Sequence, residues 1–127
     1  MRKTILPFLS VLVVSIAACK HGCLPCDLTQ LNACQSKNPP IVCIDGDTLI
    51  PSQNPVHIKS GQTAHFYLTT GRGTLTIICD PKASVDYVGH DVGHAWVHAK
   101  PVDKAEQTKY TIDVDGRKND PEMVIEP

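Results

Sequence analysis

Several features by which common functions are recognised are missing from this 127-residue sequence. Its 12 Lys and Arg residues are balanced by 13 Asp and Glu residues and form no basic stripe, which argues against a nucleic-acid partner. Beyond the N-terminal region, no apolar run approaches the length that is needed to span a bilayer. There is no Gly-Xaa-Ser-Xaa-Gly motif, no phosphate-binding loop and no pair of catalytic carboxylates. We therefore expect neither a nucleic-acid-binding protein nor an enzyme.

The N-terminal region is typical of an export signal. Arg2 and Lys3 precede an apolar run, residues 5–17, which is too short to span a bilayer as a stable helix but suits the core of a secretory signal. The run closes on Ile16-Ala17-Ala18-Cys19, which resembles the lipobox of bacterial lipoproteins. The resemblance implies a signal peptide of residues 1–18 and, at Cys19, a diacylglyceryl thioether and an acylated amine, with palmitate as an expected acyl chain. An ordinary secretory signal with a chance cysteine is the alternative.

The same resemblance sets the expected location. Removal of residues 1–18 leaves one small domain and a tether, with a net charge of about −3 because two cations are lost. Lys20 stands where enteric-type lipoproteins carry Asp as a signal for retention in the inner membrane. We therefore expect a lipid-anchored protein of the bacterial cell envelope, held at the outer membrane and facing the periplasm.

Six cysteines in an exported chain indicate disulfide bonds rather than reduced thiols. With Cys19 lipidated, four cysteines near the anchor are the disulfide candidates, and they can pair in three ways: Cys23, Cys26, Cys34 and Cys43. Cys79 then stands alone as a buried free thiol, an intermolecular bridge or a metal ligand. Cys23 and Cys26 also have the spacing of thiol–disulfide oxidoreductases, but their position beside the anchor and before Asp27 favours a structural bridge.

The exported part divides into a Cys-rich tether, residues 19–40, and a β-sandwich domain, residues 41–127. In the tether, Asp27 and Gln30 predict the start of a short, disulfide-stapled helix that ends before consecutive prolines. From Ile41 onward, apolar side chains recur at every second position, which predicts about eight or nine short strands in an antiparallel β-sandwich or small barrel. The strands are expected at 42–44, 48–50, 56–59, 64–68, 75–79, 85–88, 95–99, 110–114 and 123–125. Residues 113–117 match half of a calcium loop, but the alternation around them favours a hairpin turn.

The order of strands and turns in this domain resembles cupredoxin-like and immunoglobulin-like sandwiches. The resemblance rests on residues 56–62, which read as strand, turn and strand, and on the closing segments 110–114 and 120–125. Blue-copper proteins of this kind bring a late Cys, His and Met together in one loop. Here Cys79 lies 11 residues before His90, and Met123 lies within the last strand, so copper electron transfer is not implied.

Three histidines spaced four residues apart are the sharpest chemical lead. On a helix, His90, His94 and His98 would share one face and suit a transition metal. On a strand they also share a face, but His94 and His98 then lie about 13 Å apart, too far to bind one ion. Because Gly89 and Gly93 lower helix propensity, a histidine-rich strand is favoured over a metal site.

Trp96, between two of these histidines, has two possible orientations. We expect it to be the largest core residue of the sandwich, which is the commoner role of a buried aromatic side chain. If Ala95, Val97 and Ala99 face inward instead, Trp96 is exposed beside the histidines and indicates a contact surface.

These observations favour a non-enzymatic binding or assembly module, anchored to the membrane by lipid and contacting a protein partner in the envelope. That inference rests on architecture, because sandwiches commonly work through their surfaces and loops. No motif requires a cofactor. The alternative is a periplasmic protein that binds a transition metal through His90, His94 and His98.

Overall fold

The structure, a computed structural model, describes residues 33–70 and 72–127. This part of the chain consists of nine strands and a single 3-10 turn, and contains no helix long and apolar enough to cross a membrane. The strands are β1 (Ile41–Ile44), β2 (Val56–Lys59), β3 (Thr63–Leu68), β4 (Leu75–Cys79), β5 (Val85–Asp91), β6 (His94–Ala99), β7 (Glu106–Val114), β8 (Arg117–Asn119) and β9 (Glu122–Glu126).

The strands form two sheets that pack on one core. Sheet A has the strand order β1-β3-β6-β5, and sheet B has the order β2-β9-β7-β4, with β8 paired to β7. Inward side chains of both sheets meet in one cluster of buried residues. The largest fully buried side chains are Tyr110, Phe66, Ile44, Ile58, Leu75, Ile112, Met123 and Ile125. The predicted mainly-β sandwich is confirmed.

Two strand pairs are parallel, which a purely antiparallel sandwich would not contain. β1 pairs in parallel with β3, and β2 pairs in parallel with β9. Between β1 and β3 the chain crosses to sheet B and forms β2, so β3 enters sheet A in the direction of β1. This crossing leaves β1 at one edge of sheet A and β5 at the other.

The alternation of β3 and β6 determines which side chains lie on the outer face of sheet A. Ala95, Val97 and Ala99 are fully buried, so Trp96 points away from the core. The expectation that Trp96 is a core residue is therefore wrong. The cause is the register between the strands, in which Phe66 pairs with Ala95. Because alanine is small, the Phe66 ring fills the core at this point.

The predicted strand at residues 48–50 is a turn. A carboxylate oxygen of Asp45 accepts hydrogen bonds from the amides of Asp47 at 2.7 Å and Thr48 at 3.2 Å. These bonds, with one from Thr70, hold the pKa of Asp45 below its usual value. Leu49 then adopts a positive φ of 60° and turns its side chain into the core. The apolar residues at 48–50 therefore serve burial without forming a strand.

The segment of residues 33–40 is fastened to β1 by a disulfide bond and by a buried amide. Cys34 and Cys43 are joined with a Cα–Cα distance of 5.2 Å, which confirms disulfide pairing near the N-terminus and selects this pair among the candidates. Gln53 donates to three backbone carbonyls of the segment and of β1. Of the predicted helix, the structure shows only the 3-10 turn at 33–35. The other calls on this region, Cys19, Cys23, Cys26 and residues 27–32, lie outside the described residues.

The turn between β7 and β8 confirms the predicted hairpin over the calcium half-loop. Val114 pairs with Arg117 in the antiparallel ladder. The two residues between them, Asp115 and Gly116, have φ values of 51° and 92°. Two consecutive positive φ values are typical of a two-residue hairpin turn, in which Asp-Gly is a preferred pair.

Candidate functional site

The outer face of sheet A concentrates the few ring-bearing side chains of this protein. The chain has one Trp, three Tyr and six His residues. The tryptophan, two of the tyrosines and three of the histidines lie on this face, which we call the ring face: His65 and Tyr67 on β3, Tyr87 on β5, and His94, Trp96 and His98 on β6. Such a concentration on one solvent-facing surface makes it the candidate functional site.

His94 is the centre of one half of the ring face. Its Nε2 lies 3.1 Å from Nδ1 of His65, so one proton is shared between two imidazoles. The Tyr67 ring lies parallel to the His94 ring, with centroids 4.4 Å apart and planes at 3°. The Trp96 ring contacts His94 from another side, at a centroid distance of 5.0 Å. The stacked Tyr67 ring and the tilted Trp96 ring together fix the orientation of the His94 imidazole.

The two paired imidazoles are held in their neutral form. Burial lowers the pKa of His65 below the usual value of a histidine. Burial also lowers the pKa of His94, the charge of His65 lowers it further, and Asp91 opposes the shift. Burial raises the pKa of Tyr67, so its phenol is also neutral. Near neutral pH this half of the ring face therefore carries polar but uncharged groups, with Asp91 as the nearby charge.

Trp96 lies over the backbone of Gly89 on the neighbouring strand β5. The two residues pair across the strands, and a Cβ atom added at Gly89 would overlap Cε2, Cζ2 and Nε1 of the indole. The glycine is therefore required by the close approach of the indole. This packing fixes a partly exposed indole against the sheet and leaves it little freedom to lose on binding.

The other half of the ring face is built around His98. Its ring stacks on Tyr87 at a centroid distance of 4.8 Å and an angle of 4°. Nδ1 of His98 lies 3.2 Å from Oδ2 of Asp86, and Nε2 lies 3.1 Å from the carbonyl oxygen of Gly61. Both partners only accept hydrogen bonds, so both bonds form together only when the imidazole carries two protons.

The three histidines singled out in the sequence are not brought together. His90 pairs with Ala95, whose side chain points into the core, so His90 lies on the inner side of sheet A at its edge. His94 and His98 lie on the outer side, with Trp96 between them. Among residues 33–70 and 72–127, no group of three or more His, Cys, Asp and Glu side chains is arranged to hold a metal ion.

His65 is the member of the candidate site that the sequence reasoning missed. It occupies an ordinary outward position in the alternating pattern of β3. Its partner His94 lies 29 positions away, and the contact depends on the register that places His94 opposite Tyr67. Alternation shows that His65 points outward, but it does not show which strand is its neighbour.

Cys79 lies apart from the ring face. It is on β4 in sheet B and pairs with Tyr110, whose side chain is 1% exposed. Cys79 forms no disulfide with the other described cysteines, and burial raises the pKa of its thiol to about 11. Burial therefore keeps the thiol protonated near neutral pH, which makes Cys79 a poor nucleophile.

A shallow cleft lies beside β2, apart from the ring face. It has a volume of about 350 Å³ and is lined by Lys37, Asn38, His57, Lys59 and Glu126. Nδ1 of His57 lies 3.1 Å from Oε2 of Glu126, and both side chains are more than one third exposed. Because solvent screens this exposed pair, it contributes little to holding the two side chains in place. The cleft is therefore less preorganised than the ring face.

Comparison with known proteins finds no match to this chain among protein families, curated proteins or solved structures. The lipobox therefore remains a prediction from the sequence. The chemistry of the ring face is the observation that bears most directly on function.

Trp96 allows the protonation of His94 to be followed directly, because it is the only tryptophan in the chain. A protonated imidazole quenches a neighbouring indole. As the pH is lowered from about 8 to 5, we expect the Trp96 fluorescence to fall with a midpoint below the ordinary histidine value, because burial disfavours the imidazolium. Fluorescence titration in the presence of a chelator measures this midpoint. An unchanged titration in the variant His94→Gln would contradict the assignment, and His90→Gln is the matched control.

Proposed function

We propose that this protein is a lipid-anchored, non-enzymatic binding module of the bacterial cell envelope, which contacts a protein partner through the ring face. The lipobox at Cys19 supports the anchor, and Lys20 supports an outer-membrane location facing the periplasm. The tether, residues 19–40, connects the anchor to the sandwich. The ring face is the surface that the sandwich presents to the partner.

The packing of Trp96 over Gly89 is the observation that carries this proposal. Trp and Tyr are enriched among the residues that contribute most to protein–protein affinity. A side chain that is already fixed before binding loses little conformational entropy in the complex. Trp96 is fixed by Gly89 and His94, and Tyr67 is fixed by His94, so the ring face is preorganised.

The exposure of Tyr87 adds a second element of such an interface. Its side chain is 51% exposed, and the parallel ring of His98 restricts its orientation. Imidazole, carboxylate and phenol groups on the same sheet provide hydrogen-bond donors and acceptors. An aromatic centre with a polar border is typical of protein interfaces and supports the proposal.

Photo-crosslinking in living bacterial cells tests the proposal on the full chain. A benzophenone amino acid is placed at Tyr87, on the ring face, or at Gln107, which is exposed and points outward from sheet B. We expect a discrete crosslinked species from position 87 and none from position 107. The additional change Trp96→Ala should abolish the crosslink at position 87, because it removes the centre of the interface.

The same cells test the anchor. Full-length protein should fractionate with the outer membrane and incorporate labelled palmitate, and Cys19→Ser should lose the label and leave the membrane fraction. Equal crosslinking from positions 87 and 107, or crosslinking that is indifferent to Trp96→Ala, refutes the ring face as the interface. Palmitate labelling that persists in Cys19→Ser refutes the anchor.

A further inference from the structure

The contact between His65 and His94 has a second chemical use besides a shared proton. Two neutral imidazole nitrogens that bind the same divalent ion lie about 2.0 to 2.1 Å from it, and hence about 3 Å from each other. Nδ1 of His65 and Nε2 of His94 are 3.1 Å apart. The two nitrogens therefore already have the separation of a pair of ligands on one ion.

One neighbouring carboxylate favours a cation at the pair. Asp91 lies directly across from His94 in the register of β5 and β6 and contributes the nearby negative charge. No Lys or Arg side chain forms an ion pair with these residues in the described part of the chain. The stacked ring of Tyr67 holds His94 in place, so little side-chain entropy is lost when a metal ion binds.

We propose that Nδ1 of His65 and Nε2 of His94 form an open site for a late first-row divalent transition-metal ion, with Cu(II) bound most tightly. The imidazole that donates the shared proton carries it on its other ring nitrogen when the ion binds, so no proton is lost overall. The protein supplies two ligands, and water or a bound partner completes the coordination. This site differs from the one that the spacing of His90, His94 and His98 predicts, and it does not depend on the partner proposed above.

Titration of the purified full chain with Cu(II) at about pH 7.5, where neutral imidazoles predominate, tests the site. Cu(II) quenches a nearby indole, and Trp96 lies 5.0 Å from the ring of His94, so its fluorescence reports binding at this site and not at a distant one. We expect quenching that saturates at one ion per chain. The changes His65→Gln and His94→Gln should each weaken binding by roughly tenfold or more, because each removes one of two chelating groups.

The matched controls are His90→Gln and His98→Gln, which remove histidines near the site that do not contact the pair. Both should keep the affinity of the unchanged chain. Loss of binding in either control, or full affinity in His65→Gln, overturns the proposal. Electron paramagnetic resonance of the unchanged chain with one equivalent of Cu(II) gives an answer that is independent of the variants. Hyperfine coupling to two imidazole nitrogens supports the site, and its absence overturns it.

Discussion

The variant Gln53→Glu is expected to lower the free energy of unfolding by about 3 to 5 kcal/mol, because it buries an unpaired negative charge against backbone carbonyl oxygens. The two N–H groups of the Gln53 amide are shared among three carbonyl oxygens, those of Cys34 at 3.1 Å, Ser36 at 3.0 Å and Ile41 at 2.8 Å. Glutamate has almost the same shape but places an oxygen against these three oxygens. When ionised it repels all three, and when protonated it has one donor for them.

The position of Gln53 explains why the loss is large. The side chain is 9% exposed, so water cannot replace the missing donors. Neighbouring Ser52 also donates to the carbonyl of Cys34 and accepts from the amide of Cys43. The amide of Gln53 is therefore the central donor of a network that joins residues 33–36 to β1.

Urea denaturation of the two glutamine variants measures the effect. Gln35→Glu is the matched control, because the Gln35 amide donates to the carbonyl of Ser52 at 3.0 Å in the same segment but is exposed. We expect the control to change the free energy of unfolding by about 1 kcal/mol or less. Similar destabilisation by Gln35→Glu and Gln53→Glu would show that the burial of Gln53 is not what makes its replacement costly.

This network has a consequence for the proposed anchoring. Any force on the lipid anchor reaches the sandwich through residues 33–40. There the Cys34–Cys43 disulfide joins the segment to β1 covalently. The Gln53 amide adds hydrogen bonds to backbone carbonyl oxygens of both the segment and β1. A disulfide of this loop length contributes roughly 2 to 4 kcal/mol, so disulfide and amide together make the attachment resistant to local opening.

The sequence analysis predicts the fold well where one face of a strand is buried. Ala64, Phe66 and Leu68 alternate with polar residues, and all three are buried in the structure. The prediction fails at residues 48–50, because the short apolar run there is also compatible with a turn. Only the bonds of Asp45 and the positive φ of Leu49 distinguish the two.

The candidate site is less predictable because it depends on the neighbours of each strand. Alternation in β6 places Trp96 on one face of the strand and Ala95 and Val97 on the other, but it does not show which of the two faces is buried. The pairing of Phe66 with Ala95 decides this. The contact of His65 with His94 also follows from that register. Histidine spacing within one segment shows only which side chains share a face of a strand, whereas the pairing between β3 and β6 brings His65 to His94.

Phe66 connects the core to the ring face, and its truncation is the second large effect. Phe66 is fully buried, and its ring lies 5.5 Å from the ring of Tyr110 at an angle of 55°. Its cross-strand partner Ala95 is too small to fill the space that the ring leaves. We therefore expect Phe66→Ala to lower the free energy of unfolding by about 3 to 5 kcal/mol. Urea denaturation measures this loss.

Two controls separate cavity formation from the loss of an aromatic side chain. Phe66→Leu keeps most of the volume and should lose clearly less stability, about 1 to 2 kcal/mol. Tyr87→Ala removes a ring that is 51% exposed on the same sheet, and its cost should stay below about 1 kcal/mol. Equal losses for Phe66→Ala and Tyr87→Ala would contradict the placement of Phe66 at the centre of the core.

The same substitution also tests how far the ring face depends on the core. Phe66 lies between His65 and Tyr67 on β3 and points to the other side of the sheet. If β3 keeps its register in Phe66→Ala, the contact of His65 with His94 survives. The pH titration of Trp96 fluorescence then stays unchanged under conditions in which the variant is folded. If the titration moves to the ordinary histidine value, the packing of Phe66 is what holds the two imidazoles in contact.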